Sequence, residues 1–453
     1  MPTWIDNFFP HRSLLQGDRR LVHLVVGRVL SSTGFSISIP FLSLYLYDTR
    51  GIPMSAIGGM FFIAAIAGAA AQLYGGEWTD RYGRKPILVA AQAGRGVIFA
   101  GMGLATLYQA EFWVFVLLTC GSAFFGRLFE PPSGAMVADI TTGERRAEAF
   151  GILRIAGNLG FAIGPAAGGF LAAVSYAALF FVSSAIHVLS SGFLAARITE
   201  SLPAERRRGR EAGIGDDLPP AVARRPLAAR FQGGIDFRSI LDTLRDHRFL
   251  RHSIGCLFFF TVLGQLMSTF SVYAVEWAGI SKIELGWIYS LNGGMVTLLQ
   301  FPAVRALAPY RMTTALTLGS VLLAAGYAMM GFASGAAAIA LCMALVTIGE
   351  IAATPAAMNL AAGFATEETR GRYMGVYGLF NSFGWSLAPV VGGALLDASH
   401  GVAWIPWTGI GLLGLIAAYL FFDLRGRLSP ALDRSEDLPP SGQAAAAATG
   451  ELP

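Results

Sequence analysis

Charge is scarce in this chain. Of its 453 residues only 14% are Asp, Glu, Lys or Arg, where a water-soluble domain carries about 25%. Hydrophobic residues make up 54%, so the composition points to lipid as the solvent. Cysteine is also rare. Cys120, Cys256 and Cys342 each sit inside an apolar run, spaced neither as metal ligands nor as a disulfide framework. They read as small apolar side chains, and no metal site is expected. No basic tract large enough for nucleic acid occurs outside one loop, so the net charge of +4 implies no nucleic-acid partner. Paired acids are limited to "GDDLPP" (Gly215–Pro220), with no second cluster beside it, and an enzyme is not expected. A cleavable leader is missing too. "MPTWIDNFFPHRSLLQGDRR" is polar and runs into a full-length apolar stretch, which reads as an uncleaved first span.

What the chain has is apolar runs of spanning length. About 20 apolar residues cross a bilayer as a helix. Twelve segments qualify: 21–47, 54–75, 86–108, 112–138, 148–172, 175–197, 250–275, 283–304, 313–333, 336–362, 374–397 and 403–423. We refer to them as spans 1 to 12. The expected class is therefore an all-α integral membrane protein. One set of short loops carries Arg81, Arg84, Lys85, Arg145, Arg146, Arg311, Arg370 and Arg372, whereas the opposite set carries only Arg50 and Lys282. Basic loops stay inside, so both termini are expected in the cytoplasm. The expected organisation is a cytoplasmic N-terminus (1–20), a six-helix bundle (21–198), a basic linker (199–249), a second six-helix bundle (250–425) and a disordered tail (426–453). Within the linker Phe237, Ile240, Leu241 and Leu244 fall on one helical face, suited to lie along the membrane surface.

The two halves repeat. "GNLGFAIGPAAGG" (Gly157–Gly169) matches "NSFGWSLAPVVGG" (Asn381–Gly393), pairing Gly160 with Gly384, Pro165 with Pro389, Gly168 with Gly392 and Gly169 with Gly393. The same offset pairs Pro131 with Pro355, Arg146 with Arg370 and Gly151 with Gly375. Duplicated halves that rock about a central site characterise secondary transporters.

Two motifs then point to a family. Gly76-x-x-x-Asp80-Arg81-x-Gly83-Arg84-Lys85, between spans 2 and 3, resembles the loop signature of the major facilitator superfamily. Gly160-x-x-x-Gly164-Pro165-x-x-Gly168-Gly169, in span 5, is similar to the motif of its antiporter branch. Over about residues 20–425 the chain resembles a bacterial drug:proton antiporter of that superfamily. The resemblance implies two pseudo-symmetric six-helix bundles, a bacterial inner-membrane location, a small-molecule substrate, the proton as coupling ion, no other cofactor, and a monomer in the phospholipid bilayer. It also implies a cytoplasmic latch. Asp80 is expected to face the N-terminus of span 11, where the helix dipole favours an anion, and Arg84 to pair with Asp139 at the end of span 4. Gly76 and Gly83 are expected to permit tight turns and close helix approach. Charge-assisted bonds of about 1.5–3 kcal/mol each would bias the two states. The alternative is plain topology: cations holding a loop inside. The span 5 glycines are expected to let helices touch closely, with Pro165 able to kink the span.

Charges within spans are functional candidates by default. Glu350 lies roughly 18–19 Å from the cytoplasmic end of span 10, and positions 346, 347, 353 and 354 are Val, Thr, Ala and Thr. It is the first candidate for proton coupling, with a cation site or a structural ion pair as alternatives. Glu130 is the second, although Arg127 three residues earlier suggests a local salt bridge. Arg95 reads as a structural partner to a carboxylate, while Arg28 and Arg154 read as snorkelling side chains. Family members often carry an Arg high in span 4, but "FWVFVLLTCGSAFF" has no charge there. From the family's cavity, Tyr45, Gln265, Asn292, Asn381 and Trp385 are expected to line a substrate site with broad apolar walls. These observations leave open export of lipophilic or cationic drugs, transport of a specific metabolite on the same fold, and a non-transporting sensor.

Overall fold

Helix boundaries follow side-chain caps and glycine or proline breaks. In the computed structural model, which describes residues 18–142, 144–202, 242–366 and 368–434, every regular element among those residues is helical. Asp18 opens span 1 by accepting a hydrogen bond from the Arg20 N–H, Ser175 opens span 6 by accepting from Ala178, and Asp246 opens span 7 by accepting from Arg248 and Phe249. Among the described residues, eleven helices are long and apolar enough to cross a membrane. The remaining expected span is the helix Lys282–Leu307. Its 26 residues reach about 39 Å, but Glu284, Asn292, Gln300 and Arg305 dilute its apolar character. The N-terminal residues before 18, and Phe237, Ile240, Leu241 and the acid pair of the linker, lie outside the described residues.

Two expected spans are not continuous helices. Span 4 consists of Phe112–Leu128 and Glu130–Ile140, because Pro131 and Pro132 have no N–H to give to the preceding turn. Span 7 runs as an α-helix over His247–Leu263, tightens into a 3₁₀ turn at Gly264–Met267 and resumes in the short helix Thr269–Val272. At this break the Tyr289 hydroxyl donates to the freed carbonyl of Leu266 at 2.5 Å. Pro165, by contrast, sits inside one helix, Glu144–Val174.

Packing divides the chain into two units that differ from the repeat boundaries. Of the described residues, the first comprises those up to 202 together with Leu266–Thr297; the second comprises 242–265 and 298–434. Part of spans 7 and 8 thus belongs with spans 1 to 6. In the first unit span 1 packs on spans 5 and 6, span 3 on spans 4 and 6, and span 2 on span 4. In the second unit span 9 packs on spans 10 and 12, and span 7 on spans 11 and 12.

The repeat is visible inside each unit. A Cβ at Gly160 would come within 2.8 Å of Thr33 N and Val29 O, so span 5 lies directly on the backbone of span 1. A Cβ at Gly384 would come within 2.7 Å of Leu257 O, so span 11 lies on span 7 in the same way. The segment expected as a disordered tail begins with order. Asp433 is fully buried and caps span 9, accepting from Thr313 N at 2.8 Å and from the Thr313 hydroxyl at 2.5 Å. Residues from 435 onward lie outside the described residues.

Candidate functional site

In the first unit, spans 1, 4 and 5 enclose a cleft of about 270 Å³. Its charged wall is Arg28, Glu130 and Arg154, with Ser32, Ser133 and Asn158 as polar neighbours and Phe150, Leu153 and Phe161 as apolar ones. Arg28 donates to Glu130 Oε1 at 2.5 Å. The local sequence makes this possible in two ways. The proline pair breaks span 4 just where Glu130 begins its second helix. Gly157 leaves the room that Arg28 occupies, since a Cβ there would stand 3.2 Å from its Nε. Both partners are partly exposed, at 28% and 42% of their side-chain surface.

This geometry corrects three expectations. The ion-pair partner of Glu130 is Arg28 from span 1, not Arg127 from its own span. Arg127 instead runs beside span 2, where a Cβ on Gly68 would meet its Cγ at 3.0 Å. Arg28 does not snorkel, because the carboxylate lies within reach across the bundle. Arg95, read as a carboxylate's partner, is buried with its guanidinium 4.3 Å above the Phe35 ring, a cation–π arrangement. It also feels the charges of Arg28, Arg127 and Glu130. Gly126 gives it space.

In the loop motif Arg84 pairs with Asp139 as expected, Nε to Oδ2 at 3.0 Å. Asp80 stands 3.6 Å from Arg84 one turn earlier. Arg81 reaches over the ring of its neighbour Tyr82. Two residues beyond the motif complete the site. Glu200 accepts hydrogen bonds from the backbone N–H groups of Arg84, Lys85, Ser201 and Leu202 at 2.9–3.1 Å. Ser201 donates to Asp139 at 2.7 Å. The two glycines differ. Gly83 has φ 103° and ψ 165°, a conformation that essentially only glycine adopts. Gly76 lies within the helix Met54–Tyr82 with nothing near its missing Cβ, so no close helix approach depends on it here.

Span 5 uses two faces. Gly160, Gly164 and Gly168 lie on span 1, with Thr33 O and Ile37 O among the atoms a Cβ would strike. Pro165 and Gly169 lie on span 8: a Cβ on Gly169 would fall 3.3 Å from Gly286 Cα, and one on Gly286 3.2 Å from the Pro165 carbonyl carbon. Two turns further along span 8, Gly293 meets Ala162, 2.7 Å from its N. At the Gly169 end of the interface, where a Cβ would strike the Lys282 carbonyl, the Lys282 ammonium lies 4.4 Å above the Tyr176 ring. Glu276, close to Asp48 and Lys282, has its carboxyl held above the usual range by partial burial and by Asp48, against the pull of Lys282.

The residues expected to line a substrate cavity divide between the two units, Tyr45 and Asn292 in the first and Gln265, Asn381 and Trp385 in the second. Tyr45 is buried between Phe115 and Tyr176. Gln265 is fully buried at the span 7 break, donating to Thr261 O and Ala388 O at 3.0 Å. Trp385 is half-buried against Phe260, and Asn292 and Asn381 are half-buried on spans 8 and 11. Glu350 is half-buried on the helix Gly335–Gly363 and is engaged in a polar interaction. Its neighbour Gly349 packs on span 9, where a Cβ would stand 2.8 Å from Leu323 N. Arg154 and Glu200 were not singled out as site residues in the sequence. A cation on the same span 5 stretch as the glycine motif was the available signal for the first; a carboxylate just after span 6 was a weak one for the second.

Comparisons with known proteins agree with the helical architecture. The sequence signature of the Major Facilitator Superfamily matches residues 24–299 and 253–449. The chain is 25% identical over 399 residues to the multidrug resistance protein MdtH of Photorhabdus laumondii, covering 87% of this chain and 92% of the relative. It is 26% identical over 420 residues to MdtH of Klebsiella pneumoniae, covering 92% and 96%. It is 26% identical over 380 residues to the uncharacterized MFS-type transporter YqjV of Bacillus subtilis, covering 83% and 85%. Among solved structures, a bacterial homolog of the human lysosomal transporter Spinster, inward-facing and unoccupied, superposes with a TM-score of 0.71 at 16% identity, covering 93% of this chain and 98% of that one. A POT family transporter in complex with 5-aminolevulinic acid gives 0.70 at 14% identity, covering 90% and 96%. At such identities the likeness is one of fold.

Proposed function

Since this chain belongs to the major facilitator superfamily, we propose that it exports lipophilic small molecules across a bacterial inner membrane in exchange for protons, with both termini in the cytoplasm. The observation that carries this reading is the Arg28–Glu130 pair on the wall of a cleft between spans. Ionised groups within a spanning region are costly and mark substrate or proton pathways. Relatives named for multidrug resistance, similar over most of their length, support drugs as the cargo class.

In this scheme the latch of Arg84, Asp139 and Glu200 belongs to one of two alternating states, and the span 5–span 8 contact resists leakage. Glu350 is the principal proton carrier. Glu130 is the second, its carboxylate exchanging Arg28 for a proton. Reconstituted protein with an imposed pH gradient tests the reading. Addition of a lipophilic drug should move protons in wild type, and Glu350→Gln should abolish that coupling while drug binding persists. Full coupling in both Glu350→Gln and Glu130→Gln would remove these carboxylates from the mechanism.

A further inference from the structure

The charged wall of the cleft in the first unit is unbalanced. It holds two guanidiniums and one carboxylate, and that carboxylate is already held by Arg28 at 2.5 Å. Arg154 remains, exposed on the wall. With Glu130 held by Arg28, the lining carries one net positive charge, that of Arg154, and favours an anion. Beside Arg154 stand the Asn158 amide and, across the cleft, the hydroxyls of Ser32 and Ser133; Phe150, 44% exposed, and Phe161 supply apolar walls.

Size narrows the occupant. Pockets for drug-sized ligands run to roughly 300–1,000 Å³, and this cleft is about 270 Å³. It stands at the lower edge of that range, room enough for a headgroup and the apolar part joined to it. We propose that the cleft is an anion subsite, in which Arg154 binds the carboxylate or phosphate-like head of an amphiphile whose apolar body rests on Phe150 and Phe161. The proposal rests on the transporter reading and names the class of cargo it selects: anionic amphiphiles in preference to the organic cations for which Glu350 alone would argue. An acidic phospholipid headgroup offers the same chemistry, so the test separates the two sources.

Full-length protein in nanodiscs of uncharged phosphatidylcholine is titrated with naphthoate and with naphthylmethylammonium, a matched pair differing in the sign of the head. Naphthoate should bind about tenfold more tightly or better, the scale of one charge-assisted hydrogen bond. Arg154→Gln should remove that preference, and Arg154→Lys should restore part of it. Glu130→Gln, which releases Arg28, should tighten naphthoate. Competition by phosphatidylglycerol in wild type but not in Arg154→Gln would identify the anion as lipid-borne at the same subsite. Equal or tighter binding of the ammonium probe, or naphthoate binding unchanged in Arg154→Gln, overturns the proposal. Drug-driven proton movement without any anion preference would sink the subsite and leave the transporter reading standing. Naphthoate binding without solute movement would do the reverse.

Discussion

Arg28 and Glu130 stand 102 positions apart in the chain and 2.5 Å apart in the folded first unit. The pair ties span 1 to the second helix of span 4 at the proline break. Its partial exposure sets its strength between that of surface pairs and that of buried ones. Arg28→Gln and Glu130→Gln are each expected to lower the unfolding midpoint in detergent. The double variant should be no worse than the poorer single one, giving a coupling of about 1–2 kcal/mol in a double-mutant cycle. Additive losses would show that the two groups act separately.

Gly83 and Glu200 form one device. The glycine's backbone conformation turns the chain so that the first N–H groups of span 3 point at the Glu200 carboxylate. Gly83→Ala should cost about 1–3 kcal/mol from the backbone alone, and it crowds the carboxylate as well, with the new Cβ 3.0 Å from Glu200 Cδ. Glu200→Gln should also destabilise, because an amide NH₂ would face the Lys85 N–H that Oε2 now accepts. Thermal unfolding of both variants checks this; a stable Gly83→Ala would mean that the turn tolerates a side chain.

These two relationships show what the sequence could and could not reveal. Arg84–Asp139 was legible because the resemblance implied the pairing, and both residues sit at predictable ends of neighbouring spans. The repeat of Gly160 and Gly384 was legible because helix contact demands small residues in both halves. Arg28–Glu130 was not, because the pairing needs the rotation of span 1 about its axis, and nearly featureless apolar helices do not encode that rotation. The i, i+3 spacing of Arg127 and Glu130 suggested a local bridge. Instead Glu130 meets Arg28 of span 1 while Arg127 lies against Gly68 of span 2. Aromatics such as Tyr45 offered no periodicity to separate cavity from core, and packing enclosed Tyr45 between Phe115 and Tyr176.

Gly293 and Gly76 make a matched pair of glycines with opposite expectations. A Cβ on Gly293 would press on the backbone of Ala162, 2.7 Å from N and 2.8 Å from Cα. Backbone cannot rotate away, so spans 5 and 8 must separate. Gly293→Ala should therefore destabilise by about 1–3 kcal/mol, the usual cost of overpacking, and reduce transport. Gly76→Ala meets open space and gains helix propensity, so its folding should be unchanged or slightly improved. Unfolding midpoints of the two alanine variants measured side by side decide the matter. Equal behaviour would deny the close approach at Gly293.

Asp433 closes span 9 from a distance of 120 residues, binding both the N–H and the hydroxyl of Thr313, while its own carbonyl accepts from the Met312 N–H at 2.8 Å. The carboxylate is fully buried, and its nearest cation, Arg311, is 4.0 Å away. Geometry at this distance favours capping over charge pairing as the source of its contribution. Asp433→Ala should then cost about 0.5–2 kcal/mol, the usual loss of an N-cap. Asp433→Asn keeps an acceptor for the Thr313 N–H and should be nearly neutral, since Asn caps as well as Asp. Arg434→Ala, at an exposed neighbour, serves as the control. If Asp433→Asn falls as far as Asp433→Ala, the charge rather than the cap holds this segment, and Arg311→Gln should then reproduce the loss.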